Sequence, residues 1–442
     1  MSKKVLIICY YWPPAGGPGV QRWLKFVKYL PQFDIAPIVY VPENPEYPIV
    51  DTTLIKEVPD GVTILTQPIK EPYRFASLLS YLPTGRRESV KQLSAGIVPK
   101  QTKQSLVQRL MLYIRGNFFV PDARVGWVKP SVSYLEDYIE KHQIETIITT
   151  GPPHSLHLIG MQLKAKIAQG DSKRNIQWIA DFRDPWTTIG YHDKLKMTAK
   201  TQQKHKELER TVLTTADAII VTSPTTKKEF STITEQPITV ITNGFDTKQQ
   251  EVVITPTSFT MSHIGSLLSD RNPMVLWKVL SKLVDTNEAF KNSFTLTLAG
   301  KISEEVIDAI AEYGLTSYVK NLGYVSHPEA IQLQREAAVL LLIEIDAEIT
   351  KGIIPGKVFE YLSAQRPILG LGPKDADVGE IITTTGSGHY VSYSEEERLE
   401  QLILQLFENY TSPDWKDRGD AISKYHRKAL TEALATLIKT VS

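Results

Sequence analysis

Cysteine is almost absent from this sequence: Cys9 is the single cysteine among 442 residues. One cysteine cannot form a disulfide within the chain, which excludes a disulfide-stapled fold and favours a reducing compartment. Cys9 lies in an apolar run and is interpreted as a core residue. A run of about 18 uninterrupted apolar residues, the length that a membrane-spanning helix needs, is also missing. The short apolar stretch after Lys3 and Lys4 ends at Pro13 and Pro14, which a signal peptide would not do.

The sequence also lacks an excess of charge of either sign. Fifty Lys and Arg residues face 49 Asp and Glu residues, and the formal charge of +1 disfavours nucleic acid as a partner. Hydrophobic residues make up 42% and charged residues 22%, which is ordinary for a globular protein and leaves little room for long disorder. The length exceeds one ordinary core, so two domains are the simplest interpretation.

Short apolar, β-branched runs alternate with helix-like segments along the chain. Helical segments such as 20–30 predict right-handed βαβ units and a parallel sheet. A polar stretch, 246–258, separates two such series, so we predict a domain boundary near residue 250. The predicted strands are Val5 to Tyr10, Ile38 to Val41, Val62 to Leu65, Thr146 to Thr149, Gln177 to Ala180, Ala218 to Val221 and Ile238 to Ile241 in the first series, and Phe259 to Ile264, Phe294 to Ala299, Val339 to Ile345 and Pro367 to Leu371 in the second.

Residues 70–130 interrupt the alternation and predict an insertion in the first domain. Its segment 86–115 contains seven Lys and Arg residues and a single acid, Glu88, while its apolar residues keep helical spacing. Two interpretations of this basic segment stay open. It is either a helix packed on its own domain with a solvated basic face, or a peripheral contact with an anionic membrane surface.

A glycine-rich turn follows the first predicted strand, where backbone N–H groups at a helix start can receive an anion. We interpret Gly16 and Gly17 as part of a ligand-facing loop, with an ordinary tight turn as the alternative. A dinucleotide fingerprint is not met, because Arg22 occupies its third glycine position and the next strand ends without a convincing acidic partner. This departure disfavours a nicotinamide-dependent oxidoreductase.

Polar residues also follow two later strands of the first series. Asp181, Arg183 and Asp184 come directly after the strand that ends at Ala180, at the edge where parallel sheets bind ligands. An internal Arg–Asp pair explains them equally well. His154 lies in a Gly/Pro turn after another strand and is a candidate to accept a hydroxyl proton or to bind a sugar.

The most specific motif is a Gly/Pro-rich loop, 351–356, that enters a helix in the second half. Such a loop offers N–H donors to a diphosphate, Lys357 adds a positive charge, and Glu360 lies where it can accept hydrogen bonds from ribose hydroxyls. Arg271 follows the strand and glycine turn that contain Gly265, where a cation would meet the phosphates. A surface salt bridge is the alternative for Arg271.

At these residues the chain resembles glycosyltransferase family 4, the retaining enzymes with a GT-B fold, and in particular bacterial members that build surface polysaccharides. The resemblance covers nearly the whole chain. It implies an α/β fold of the GT-B class, with two Rossmann-like parallel-sheet domains that face each other across a cleft. The segments that carry it are the glycine-rich first turn, 216–223, 240–246, 322–326 and 356–362.

The resemblance also implies a division of labour between the domains. Residues 1–250 would form the acceptor-side domain and residues 251–424 the domain that binds the nucleotide sugar. A final helix, 425–442, would cross back to the first domain. The first domain would contribute Asp181, Arg183 and Asp184 on the acceptor side.

Individual roles follow from the same resemblance. Arg271 would meet the diphosphate and Glu360 would hold the ribose, while Lys301 and Lys357 both match the second phosphate cation. The family commonly has another glutamate at the position of Gly352, so contact with the donor sugar must come from elsewhere here. The implied catalytic residues are His154, Arg271 and Lys357, and the implied donor-binding residues are Gly16, Gly17, Gly265, Arg271, Lys301, Val325, Gly356, Lys357 and Glu360.

The implied activity is hexosyltransferase-type transfer of a sugar from a nucleotide-diphosphate donor, expected to be UDP-linked, to a saccharide or lipid-linked saccharide during cell-surface polysaccharide synthesis. Cations and helix dipoles would stabilise the leaving diphosphate, so neither a metal nor a cofactor is expected. A nucleotide-sugar epimerase with the GT-B fold and a non-catalytic nucleotide-sugar-binding protein are the alternatives. We expect a cytoplasmic protein, with a position at the inner face of the plasma membrane left open.

Overall fold

The computed structural model of the protein describes residues 2–71, 106–170, 174–188, 195–246, 254–411 and 419–441. The chain divides into two compact units. The first contains Met1–Thr242 together with Leu430–Ser442, and the second contains Asn243–Ala429. Each unit contains one parallel sheet with helices between its strands, which confirms the predicted α/β class with two parallel-sheet domains.

The first unit has a seven-stranded sheet in the order β3-β2-β1-β4-β5-β6-β7. The strand order reverses between β1 and β4. The segments that follow these two strands therefore leave toward opposite faces of the sheet, an arrangement that creates a crevice at the carboxyl ends of the strands. The strands are β1 Lys3–Ile8, β2 Ile35–Pro42, β3 Thr63–Gln67, β4 Thr146–Gly151, β5 Gln177–Phe182, β6 Ala218–Val221 and β7 Ile238–Val240. The helices are α1 Pro18–Tyr29, α2 Leu106–Phe118, α3 Val128–His142, α4 Ser155–Gln169, α5 Ala199–Thr215 and α6 Pro224–Phe230.

Strand β1 shows why this sequence forms a sheet that is covered on both faces. Its residues from Val5 to Ile8 are fully buried, as is typical of central parallel strands. Successive side chains point to opposite faces, so Val5 and Ile7 enter one hydrophobic cluster and Leu6 and Ile8 enter the other. The uninterrupted apolar run is thus needed because helices cover both faces.

The last helix of the chain completes one of these clusters. Helix α15, Arg427–Thr440, places Leu430, Leu434 and Ile438 in the same cluster as Val5 and Ile7. The ammonium of Lys3 donates a hydrogen bond to the carbonyl of Ile438 at 3.0 Å. The end of the chain therefore belongs to the core of the first unit.

The second unit has a six-stranded sheet in the order β10-β9-β8-β11-β12-β13. Here the order reverses between β8 and β11. The strands are β8 Phe259–Ile264, β9 Phe294–Ala299, β10 Val319–Gly323, β11 Val339–Ile343, β12 Ile368–Gly372 and β13 Gly388–Ser392. The helices, before α15, are α7 Met274–Thr286, α8 Glu288–Ser293, α9 Glu304–Glu312, α10 His327–Glu336, α11 Lys357–Ala364, α12 Asp377–Thr384, α13 Glu396–Asn409 and α14 Gly419–Ser423.

A buried ion pair joins α1 to β5 in the first unit. The Nη2 atom of Arg22 lies 2.9 Å from Oδ1 of Asp181, and Arg22 Nη1 donates to the Thr242 carbonyl at 2.8 Å. Oδ2 of Asp181 accepts from Trp23 Nε1 at 2.8 Å and from Thr150 Oγ1 at 2.9 Å. Three side chains, Arg22 and Trp23 of α1 and Thr150 of β4, therefore meet at one carboxylate.

We expect Asp181→Ala to lower the free energy of unfolding by about 3–5 kcal/mol, because it leaves the Arg22 guanidinium buried without its counter-ion. Urea denaturation measures the change. As a control, Glu136→Ala removes an ion pair to Lys166 whose side chains are 29% and 52% exposed, and such pairs contribute about 0–1 kcal/mol. Equal losses from the two substitutions would contradict this account of the buried pair.

Candidate functional site

The carboxyl ends of β8 and β11 frame the candidate site of the second unit. Gly265 follows β8 with φ of 133°, a backbone conformation that favours glycine. A Cβ atom on Gly265 would lie 2.8 Å from Nζ of Lys357, the first residue of α11. The positive φ therefore favours glycine here, and a Cβ atom would in addition require the lysine ammonium to shift.

Helix α11 is fixed to β8 by a buried tyrosine. The hydroxyl of Tyr361 accepts a hydrogen bond from the Ile264 amide at 3.0 Å. Because Tyr361 lies one turn after Lys357, this bond places the start of the helix, and the loop 351–356 that precedes it, beside the end of β8. The motif that the sequence singled out thus lies at the reversal of strand order.

His263 and Lys357 form a hydrogen-bonded pair at this point. The Nδ1 atom of His263 lies 3.0 Å from the Leu341 carbonyl, which can only accept, so Nδ1 carries the hydrogen. Nε2 is then an acceptor, and Lys357 Nζ lies 3.4 Å from it. Burial, reinforced by the Lys357 ammonium, lowers the pKa of His263 to about 3. Burial also lowers the pKa of Lys357 to about 8, against the opposing effect of the Glu344 carboxylate.

Arg271 and Glu344 complete the charged cluster. Nη2 of Arg271 lies 3.4 Å from Oε2 of Glu344, which directly follows β11 and is 4% exposed. Burial raises the pKa of Glu344, while Arg271 and Lys357 oppose the increase. Two cations and one carboxylate thus meet where β8 and β11 end, and this arrangement can receive an anion of more than one negative charge.

Glu360 lies at the exposed side of the same helix start. Its Oε2 atom accepts a hydrogen bond from Nε2 of Gln334 at 3.0 Å, and Gln334 is itself buried in α10. A buried donor therefore holds an exposed carboxylate in one orientation. Such a carboxylate can accept hydrogen bonds from the hydroxyls of a ligand.

The other donor-side residues of the sequence analysis lie along the same sheet edge. Gly356 directly precedes α11 and is half-buried. Lys301 and Val325 follow β9 and β10, one and two strands away from β8, and Lys301 is exposed. Lys357, and not Lys301, is the lysine whose ammonium lies against Gly265.

A second candidate region lies where β1 and β4 end in the first unit. Gly16 and Gly17 follow β1, and Gly17 has φ of 97° directly before α1. The Arg183 guanidinium donates to the Pro152 carbonyl, and a Cβ atom on Gly19 would overlap Arg183 Nη1. The glycine-rich turn and Arg183 are therefore neighbours at the reversal of strand order in this unit.

The three acceptor-side candidates occupy different environments. Asp184 is exposed and Arg183 is half-buried. Asp181 is fully buried and bound by Arg22, Trp23 and Thr150, so its carboxylate is a structural group that a ligand does not reach. The observed partner of Asp181 is Arg22 of α1, and not Arg183, the arginine of the internal pair considered from the sequence.

His154 is the last residue of the loop between β4 and α4. It is 3% exposed, and its ring stacks on Trp186 with a centroid distance of 4.9 Å. His157 is fully buried on α4, where its Nδ1 lies 2.8 Å from Thr149 Oγ1. Burial lowers the pKa of His157 to about 3. Both imidazoles thus belong to the interior that supports the loop.

The sequence analysis gave no role to His263, Glu344 or Gln334. The signal for the first two was a polar residue inside or directly after an otherwise apolar strand: His263 lies within β8, and Glu344 follows the five apolar residues of β11. Gln334 had no such signal, because glutamine is common on exposed helix faces.

No protein-family model and no curated protein sequence matches the chain. Solved structures do match it over nearly its whole length. A glycosyltransferase from Rickettsia africae ESF-5 has a TM-score of 0.60 at 14% identity, covering 100% of this chain and 98% of that one. The lipopolysaccharide outer core galactosyltransferase WaaB has a TM-score of 0.60 at 13% identity, covering 99% of each chain.

Anabaena HepE, solved in complex with UDP, also has a TM-score of 0.60, at 14% identity, covering 99% of this chain and 100% of that one. The first two of these neighbours are glycosyltransferases by name, and the chain has the GT-B fold. At such identities the likeness concerns the fold.

Among the described residues, no helix is long and apolar enough to cross a membrane. The His, Cys, Asp and Glu side chains of the same residues form no group of three or more that is placed to hold a metal ion.

Below about pH 6.5, the ordinary pKa of histidine, we expect His157 to destabilise the fold. Its pKa is about 3 in the folded protein, so the unfolded chain binds a proton that the folded chain does not, and stability falls as the pH falls. In urea unfolding at several pH values, His157→Gln should reduce the slope of stability against pH by about 1.4 kcal/mol per unit. An unchanged slope would show that His157 is not held neutral.

Proposed function

We propose that the protein is a glycosyltransferase that moves a sugar from a nucleoside-diphosphate sugar to a saccharide or lipid-linked saccharide. The observation that carries the proposal is the convergence of Arg271, Lys357 and Glu360 at the reversal of strand order in the second unit. Open parallel sheets bind ligands at this point. The GT-B fold supports the proposal, and Anabaena HepE, which shares it, was solved with UDP.

The proposed chemistry places charge where it develops during the reaction. Cleavage of the sugar–phosphate bond leaves an additional negative charge on the departing nucleoside diphosphate. Arg271 and Lys357 are already oriented by Glu344 and His263, so they stabilise this charge with little reorganisation. In this scheme the two cations do the work that a metal ion does in other enzymes, and neither a metal nor another cofactor takes part.

Glu360 is assigned to the ribose. Its carboxylate is exposed and is held by Gln334. Glu360 lies one helical turn from Lys357. The two residues can therefore contact adjacent parts of one ligand, Lys357 the diphosphate and Glu360 the ribose. We propose a UDP-linked donor, because HepE was solved with UDP and with UDP-glucose. The proposed reaction is of the hexosyltransferase type with retention at the anomeric carbon, and the donor phosphate assists deprotonation of the acceptor.

The acceptor side of the proposal rests on the first unit. Arg183, Asp184 and the turn with Gly16 and Gly17 are its accessible residues. The burial of His154 argues for support of this loop rather than direct contact with a substrate. We therefore assign the first contacts with the acceptor to Arg183 and Asp184. The proposed role of the transfer is synthesis of a cell-surface polysaccharide.

A position at the inner face of the plasma membrane is part of the proposal. Helix α2 ends in three exposed apolar side chains, Tyr113, Ile114 and Phe118, and Phe118 is 72% exposed. This helix forms the end of the basic segment 86–115, of which residues 86–105 and the side chain of Arg109 lie outside the described residues. Exposed apolar groups beside basic residues are typical of a peripheral membrane contact.

Phe118→Ser should reduce sedimentation of the protein with anionic liposomes several-fold at low salt, because it removes an apolar side chain that enters the lipid interface. High salt should release the wild-type protein by screening its basic residues. Ile55→Ser, which changes another exposed apolar residue of the first unit, is the control and should have no effect. Absence of wild-type binding to anionic liposomes would remove the membrane part of the proposal.

Calorimetric titration with UDP, GDP, ADP and NAD tests the donor site. We expect one diphosphate to bind, and Arg271→Ala and Glu360→Ala each to weaken it by about tenfold to a hundredfold, the loss of one hydrogen bond to a charged group. Lys278→Ala removes an exposed lysine paired with Glu396 on the same unit and is the matched control. Failure of all three diphosphates to bind, or indifference to both substitutions, would contradict the proposal.

Turnover then separates transfer from its alternatives. A glycosyltransferase releases the nucleoside diphosphate faster when an acceptor is present and forms a glycosylated acceptor. Conversion of the nucleotide sugar without an acceptor would instead indicate an epimerase. Binding without turnover across a panel of acceptors would indicate a non-catalytic binding protein.

A further inference from the structure

His263 is the residue of the donor region to which the proposed function gives no contact with a ligand. It lies inside β8, between β9 and β11, and is fully buried. A buried polar side chain is costly unless its hydrogen bonds are satisfied, and an aliphatic residue would fit an inner strand without that cost. The partners of the imidazole include the Leu341 carbonyl, the Lys357 ammonium and the Ser266 backbone, and they explain why a histidine can occupy this place.

The two ring nitrogens have different tasks. The Leu341 carbonyl fixes the hydrogen on Nδ1, and this leaves the lone pair of Nε2 directed toward Nζ of Lys357 at 3.4 Å. Nζ also packs against Gly265, where an added Cβ atom would lie 2.8 Å from it. The ammonium thus contacts both the His263 acceptor and the glycine turn.

Other charged groups also act on Lys357, from each element packed around it. Arg271 lies in the loop after β8, Glu344 follows β11, and Glu360 is on the same helix. Arg271 repels the ammonium, whereas Glu344 and Glu360 attract it. The Glu344 carboxylate is shared with Arg271. Nε2 of His263, in contrast, lies within hydrogen-bond distance of the Lys357 Nζ atom.

We propose that His263 is a positioning residue of the donor site, which holds the Lys357 ammonium against Gly265 so that this lysine contacts the diphosphate. The inference rests on the proposed function and deepens it. Of the two lysines that the resemblance left open, it selects Lys357 as the second phosphate cation over the exposed Lys301. His263 itself acts through Lys357 and does not touch the ligand.

The arrangement makes ligand binding depend on pH. With a pKa of about 8, Lys357 loses its charge just above neutral pH in the free protein. A diphosphate binds the charged form better, so binding takes up a proton and the affinity falls as the pH rises through about 8. Without the Nε2 acceptor the ammonium is less stabilised, and the decline should begin at a lower pH.

Two substitutions at His263 separate positioning from packing. Asparagine retains a donor near the place of Nδ1 and loses the acceptor toward Lys357, whereas glutamine retains an acceptor near the place of Nε2. In calorimetric titrations with UDP, His263→Asn should bind about tenfold more weakly at neutral pH, the loss of one hydrogen bond to a charged group, and its decline with pH should begin lower. His263→Gln should recover most of both properties.

Equal losses of affinity in the two variants, or wild-type affinity and pH dependence in His263→Asn, would overturn the inference. Should either variant fail to fold, as judged by its thermal transition, Lys357→Arg provides the test in a native core. Because a guanidinium does not lose its proton in this range, the decline of UDP affinity between about pH 7 and about pH 9.5 should disappear. Persistence of the decline in Lys357→Arg would also overturn the inference.

Failure of this inference is distinguishable from failure of the proposed function. If the wild-type protein binds none of UDP, GDP and ADP, the proposed function falls and the role of His263 with it. If the wild type binds UDP but His263→Asn and His263→Gln lose affinity equally, the glycosyltransferase proposal stands and the positioning role alone is wrong.

Discussion

The reversal of strand order in each parallel sheet is the constraint on which the rest of the structure depends. Parallel strands bring all their carboxyl ends to one edge, and at a reversal the two following segments leave toward opposite sides. In the second unit this happens between β8 and β11. Gly265 and Glu344 flank that point, and the start of α11 is bound to β8 through Tyr361. The charged cluster exists there because the topology leaves room for it.

Two pairs of an arginine with a carboxylate serve different ends: one is buried, and the other has an arginine side chain that is 28% exposed. Arg22 and Asp181 are surrounded by further hydrogen-bond partners from α1, from β4 and from Thr242 after β7, so the pair is saturated and structural. Arg271 and Glu344 meet at 3.4 Å beside a second cation, Lys357. That cluster keeps an excess of positive charge at the sheet edge. The single Glu344 carboxylate does not neutralise both Arg271 and Lys357. An incoming anion can therefore form ion pairs with these two cations.

Much of the fold could be predicted from sequence, because buried parallel strands are uninterrupted apolar runs. All eleven predicted strands occur in the structure. The two strands that were missed, β10 and β13, are the edges of the second sheet and contain few apolar residues, VKNLG and GHYVS. The motif around Lys357 and Glu360 was visible because its residues are consecutive. The pairing of Arg22 with Asp181 and of His263 with Lys357 was not, since each joins residues far apart in the chain whose contact depends on strand order.

A nucleoside diphosphate is proposed to bind where β8 and β11 end. A crystal structure of the protein grown with UDP would show whether it does. We expect the diphosphate within hydrogen-bond distance of the Arg271 guanidinium and the Lys357 ammonium, and the ribose hydroxyls on the Glu360 carboxylate. Binding of UDP elsewhere on the protein, or a ribose directed away from Glu360 with the phosphates distant from both cations, would contradict it.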